Sequence, residues 1–139
     1  MKLSIIISVL NSHEILRRQL IFWKDHQLAN DIEFIIIDDG SNPPLRDTIG
    51  VPNLRILYTN DSRPWTVELA RNLGARNSKA EYLLMTDIDY IIPKDAIETV
   101  YTLTEDKARF KREFGVLDEY GTLTPVSYTH LTLPTTPYV

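Results

Sequence analysis

The chain has 139 residues, 43% of them apolar, enough for one domain with a core of its own. A net charge of -4 with 24% charged residues excludes the basic surface of a general nucleic-acid binder. The absence of cysteine removes disulfides, zinc-thiolate sites and thiol nucleophiles, and no apolar run approaches the roughly 18–20 residues that span a bilayer.

Leu3 to Leu10, LSIIISVL, is a continuous β-branched apolar run, the pattern of a strand covered on both faces. Behind Met1-Lys2 it has the outline of a short signal peptide. Asn11-Ser12-His13-Glu14 follows where a small-residue cleavage site would stand, so the run reads as the first strand. A cytoplasmic location follows by default, with room for a peripheral place on the inner face of the membrane. HEILRRQLIFWKDHQ, from His13, places Ile15, Leu16, Leu20 and Trp23 at broadly helical spacing, with Ser12 or Asn11 as N-cap.

IEFIII, Ile32 to Ile37, reads as a second strand closed by the loop formers DDGSNPP, and LRILYT, Leu54 to Thr59, as a third. TVELARNLGARNS is an amphipathic helix with Val67, Leu69, Ala70, Leu73 and Gly74 on or near one side. EYLLMT, from Glu81, reads as a buried fourth strand running into Asp87-Ile88-Asp89. Pro93 sets the start of a further helix from Lys94 to about Phe114. The alternation is an α/β plan with a mainly parallel sheet, whose ligands sit at the carboxyl ends of the strands. Asn11, Asp38, Asp39, Asp87 and Asp89 all fall at such ends.

From Gly121 onward the chain carries no Asp, Glu, Lys or Arg, and Thr and Pro dominate. VSYTHLTLPTT, Val126 to Thr136, resembles the translation of a transposon-type sequencing adapter; the alternative is a native Thr/Pro-rich linker. The expected organisation is residues 1–125 as part of one domain and 126–139 as a non-native tail, with the gene interrupted near Pro125.

Asp87 and Asp89 stand two residues apart, so in extended backbone their carboxylates share a face. Hard oxygen donors so placed suit Mn²⁺ or Mg²⁺, which also takes phosphate oxygens and keeps several waters; a solvated acid after a strand is the plainer use. One acid of Asp38-Asp39-Gly40-Ser41 is suited to accepting a base N–H while Gly40 permits a tight turn, or the pair closes an Asx-turn. Arg71 offers a fork of donors to a phosphate or to an aspartate; its plainer use is a surface ion pair. Trp65 is either a stacking platform or a staple at the start of the helix. His13, His26 and His130 show no ligand spacing, and neither a P-loop nor a G-x-G-x-x-G is present.

Together SIIISVLNSHE, FIIIDDGSN and ELARNLGARNSKAEYLLMTDIDYIIP, in this order and spacing, resemble the family 2 type of nucleotide-sugar glycosyltransferases, which have the GT-A fold. The likeness covers nearly all of residues 2 to 105. It implies that residues 1–125 are the N-terminal, nucleotide-sugar-binding part of a GT-A domain, with a Rossmann-like, mainly parallel sheet flanked by helices. It implies that Ser8, Val9, Leu10 and Asn11 line the base pocket, that Asp39 binds the pyrimidine base, and that Arg71 lies near the nucleotide diphosphate. Asp87 and Asp89 match the D-x-D motif, with Asp89 the direct metal ligand and Asp87 nearer the ribose or a metal-bound water. The first turn departs from the family's usual Pro-x-Tyr/Phe-Asn by lacking the aromatic residue, for which Trp65 is the candidate substitute.

The implied reaction is metal-dependent transfer of a sugar from a nucleotide diphosphate, a UDP-sugar first, to an acceptor hydroxyl on a glycan, lipid or protein. Inversion at the sugar carbon needs a general base beside the acceptor. In this family that group comes from the second half of the domain, and Asp118 and Glu119 have no context matching it. The chain therefore reads as an inactive fragment. Two alternatives are a sugar-phosphate nucleotidyltransferase, although VLNSHE lacks the glycine and basic residues of its usual loop, and a non-catalytic nucleotide- or sugar-binding module.

Overall fold

The branched apolar run near the N-terminus forms a central strand, because its side chains find partners on both faces. The computed structural model describes residues 3–25, 32–61, 63, 66–100, 102 and 114–125. Within them run β1 (Leu3–Val9), α1 (His13–Asp25), β2 (Ile32–Asp38), β3 (Leu54–Tyr58), α2 (Val67–Asn77) and β4 (Tyr82–Asp87). A short α3 (Lys94–Val100) and the strands β5 (Gly115–Leu117) and β6 (Leu123–Pro125) follow. The main sheet has the order β3-β2-β1-β4 and every pairing in it is parallel, as the alternating pattern requires.

Alternation along β1 divides the core in two. Ile5, Ile7 and Val9 join Leu16, Leu20 and Trp23 of α1, and Trp23 stacks on Phe34 of β2 at a centroid separation of 4.2 Å. Ile6 joins Ile35, Ile37 and Ala70 of α2 on the other side. Each isoleucine so buried contributes on the order of 1.5–3 kcal/mol. α2 approaches the sheet closely because Gly74 has no side chain: a Cβ there would lie 2.5 Å from Ile6 Cγ2.

Several expectations need correction. β4 is an edge strand, with Leu83 44% and Met85 42% exposed, because β1 pairs with one side of it only and α2 packs on β1 and β2. Ile15, Val67 and Leu69 are exposed too; the contact face of α2 is the narrower line of Ala70, Leu73 and Gly74. Ser12 accepts the first turn's bond from the Leu16 N–H through its carbonyl, but its hydroxyl donates to the Leu10 carbonyl. Phe114 is exposed and precedes β5, so the helix beginning at Lys94 does not reach it; residues 103–113 lie outside the described residues. Trp65, His26, His130 and the tail from Val126 lie outside them as well.

The β5–β6 hairpin was not foreseen. Its loop is closed by Asp118, whose Oδ1 accepts the Tyr120 and Thr122 N–H groups, and Arg17 and Arg18 of α1 donate to the Glu119 and Leu117 carbonyls. No described helix is long and apolar enough to cross a membrane.

Candidate functional site

Parallel pairing brings the polar strand ends to one edge. Val9 pairs with Asp38 of β2 and Ser8 pairs with Asp87 of β4, so the end of β1 is flanked by an acid on either side. Ser8 is half-buried and Val9 buried within the strand, while Leu10 is 55% exposed at its mouth. Asn11 adopts a left-handed backbone with φ 50°, a conformation asparagine tolerates better than most residues. Its N–H donates to Ser41 Oγ at 2.9 Å and its Oδ1 accepts the Asn42 N–H at 2.9 Å, stitching the turn after β1 to the loop after β2.

The two adjacent aspartates of that loop do different work. Asp38 accepts the Ser41 N–H on Oδ1 and the Leu45 N–H on Oδ2, both at 2.8 Å, and so shapes the loop. Gly40, at φ +98°, makes the turn possible. Asp39 receives the Thr66 hydroxyl at 2.6 Å and the Thr59 hydroxyl at 3.1 Å, and its own N–H donates to the Val9 carbonyl. Sequence reasoning missed Thr66. A threonine ahead of a helical pattern reads as an N-cap, yet its hydroxyl makes no capping bond and goes to Asp39 instead. Asp61, beyond β3, is held down to about 2 by its side-chain and backbone bonds to Arg63, so it stays anionic at this edge.

On the other side of β1, β4 ends at Asp87, before the second acid of the pair. The Tyr90 N–H donates to the Asp87 carbonyl at 3.1 Å, so Asp87–Tyr90 is a turn and Asp89 is not in extended backbone. The shared-face argument therefore stops at Asp87. Arg71 of α2 donates from Nη2 to Asp87 Oδ1 at 3.0 Å, while Asp89 is exposed. The Arg71 Nε–H is buried with no partner among the described residues. From α1, the Gln19 amide donates to the Ile88 and Tyr90 carbonyls of the same turn. Nothing in the sequence marked Gln19, because a glutamine inside an amphipathic helix reads as a surface residue.

Among the described residues no three His, Cys, Asp or Glu side chains converge as a closed metal cage. The donor set fits Mn²⁺ or Mg²⁺ in another way. Such an ion is commonly held by one or two carboxylates, with phosphate oxygens and water completing its shell, and an exposed aspartate on a turn can supply one such carboxylate. His13 Nε2 lies 2.6 Å from the Pro43 carbonyl and takes no place at this site. An open groove of about 600 Å³ beside it, lined by Leu16, Pro43, Pro44 and Leu45 among others, contains none of Asp39, Arg71, Asp87 and Asp89.

Residues 4–110 match the family model described as glycosyl transferase family 2. The chain is 29% identical over 84 residues to glycosyltransferase GlyG of Streptococcus pneumoniae serotype 4, covering 58% of this chain and 28% of that protein. It is 30% identical over 107 residues to the poly(ribitol-phosphate) beta-N-acetylglucosaminyltransferase TarP of Staphylococcus aureus, covering 72% of this chain and 32% of that one. The solved structure of S. aureus TarS 1-349 superposes over 73% of this chain and 32% of its own, with a TM-score of 0.58 at 20% identity. The chain thus spans about a third or less of the length of these relatives.

Proposed function

Because the chain belongs to glycosyl transferase family 2, we propose that its carboxyl sheet edge is the donor side of a metal-dependent sugar transferase using a nucleotide diphosphate sugar. The observation that carries this reading is the flanking of the β1 end by two acidic elements, the Asp39 loop and the Asp87–Tyr90 turn. The base would lie over Ser8–Asn11 against Asp39. The diphosphate would lie toward Arg71, whose unmatched buried donor favours a ligand that brings an anionic acceptor. Asp89 would hold the Mn²⁺ or Mg²⁺, with Asp87, already paired with Arg71, nearer the ribose or a metal-bound water. When bound, the ion supplies Lewis-acid neutralisation of the departing diphosphate.

The chain's own residues bind and orient the donor. Among the described acids none is assigned as the general base: Asp118 is committed to the hairpin loop. An inactive chain that still binds donor is therefore the expected behaviour, in the cytoplasm where the nucleotide-sugar supply would be met. TarP, an N-acetylglucosaminyltransferase by name, makes UDP-N-acetylglucosamine the first donor to try.

Calorimetric titration of UDP into the chain with and without Mn²⁺ tests the reading. Asp89→Ala should remove the Mn²⁺ dependence and weaken binding at least about tenfold, and Asp39→Ala should weaken it with or without metal, consistent with loss of a charge-assisted hydrogen bond of about 1.5–3 kcal/mol. Mn²⁺-dependent binding that survives both Asp87→Ala and Asp89→Ala would falsify it.

A further inference from the structure

Gln19 stands on the core-facing side of α1, only 1% exposed, between Leu16, Leu20 and Trp23. An amide there needs a reason, since burying one without partners costs about 1–3 kcal/mol by mutational measures. Its Nε2 donates to two carbonyls, that of Ile88 and that of Tyr90, the latter at 3.1 Å. Those residues are the two neighbours of Asp89. Both partners are acceptors, so the amide orientation is forced: a flipped group would set its oxygen against two carbonyl oxygens. The Oε1 atom is left buried with no partner among the described residues. The position thus tolerates an unmet acceptor while keeping both bonds to the turn.

We propose that Gln19 is a positioning residue for the aspartate pair, fixing the Asp87–Tyr90 turn so that Asp89 is presented to the metal in one geometry. The proposal rests on the metal reading above. The turn is held from both helix layers: Arg71 of α2 takes Asp87, and Gln19 of α1 takes the backbone on either side of Asp89. Partners that orient metal ligands through hydrogen bonds weaken affinity by about 10- to 100-fold when lost, and Gln19 would orient Asp89 through the backbone on either side of it.

The test uses two readouts on the folded chain. Gln19→Met fills the same space without donors. In that variant the Tyr90 amide, bonded to the Asp87 carbonyl, should exchange with solvent about fivefold faster, as loss of a bond of about 1 kcal/mol implies, while the Ile5–Ile7 amides keep their protection. Mn²⁺ affinity, read by electron paramagnetic resonance with Mn²⁺ alone, should fall about 10- to 100-fold. Should the methionine variant not fold, Gln19→Asn, whose amide is withdrawn by one methylene, gives the same two readings.

Unchanged Tyr90 exchange overturns the clamp. Faster exchange with unchanged Mn²⁺ affinity overturns the positioning role, leaving a structural one. A parent chain that binds no Mn²⁺ overturns the metal reading beneath the proposal, and the positioning role with it, whatever Tyr90 does.

Discussion

Glu33 is one of two acids in β2, and unlike Asp38 it is buried at the end of the sheet opposite the candidate site. It accepts the Ser4 hydroxyl at 2.6 Å, the Lys79 N–H at 2.8 Å and Arg55 at 3.2 Å, and Ser78 donates in turn to Ser4. Burial pushes its carboxyl up; the Ser4 hydroxyl, the Lys79 amide and Arg55 outweigh that and hold it below the usual value. A lowered folded-state value means the stabilisation is complete above the unfolded glutamate range, about 4.3, and is lost as pH falls through the folded value. Glu33→Gln should therefore cost about 1–3 kcal/mol at neutral pH, and thermal melts of parent and variant should converge as the pH drops below about 4. A gap between the melts that is the same at every pH would contradict this account. At this scale the sequence was legible where a residue type has few uses, as with Gly40 in a tight turn. It was not where the partner comes from elsewhere in the chain. Thr66 and Gln19 are ordinary letters until packing sets Asp39 beside one and the Asp87–Tyr90 turn beside the other.

The elements of the main sheet were readable because their periods are strong. β1 and β2 lie within one residue of the expected bounds, and both ends of α2 fall inside the expected helix. Which face is buried was less readable. The expected apolar side of α2 held Val67 and Leu69 together with Ala70, Leu73 and Gly74, and close approach keeps only the last three at the sheet. Gly74→Ala tests this reading of α2. The added methyl meets Ile6 Cγ2 at 2.5 Å, a branched side chain with little freedom, and Ile37 Cδ1 at 3.3 Å. Overpacking costs about 1–3 kcal/mol, more than the roughly 1 kcal/mol that alanine gains over glycine in a helix. Denaturant unfolding should show a net loss of stability despite the better helix former, and a gain would mean that α2 does not sit against β1 as described. The apolar run of β4 misled for a related reason. Strand composition reports what a strand can face, and does not say whether a neighbour lies on both sides.

Across the molecule, the α/β order and the gathering of polar strand ends at one edge followed from the sequence, since parallel strands joined by helices must all end on the same side. The edge role of β4 did not follow, nor did the hairpin on α1, whose two strands of three residues are too short to carry a period. With Leu83 and Met85 exposed on an edge strand, the chain should self-associate in solution. Sedimentation velocity should find oligomers that Leu83→Lys with Met85→Lys returns to monomer; a parent chain that stays monomeric as concentration rises refutes the expectation. The place of β1 has a further consequence, one of time. It is synthesised before its two partners, yet it lies between them: β2 reaches it after one helix, whereas β4 arrives only after β2, β3 and α2 have been made. Contacts of such separation form slowly because a long loop must close before they repay its entropy. The Asp39 loop can therefore be in place while Asp87 and Asp89 still belong to unpaired chain.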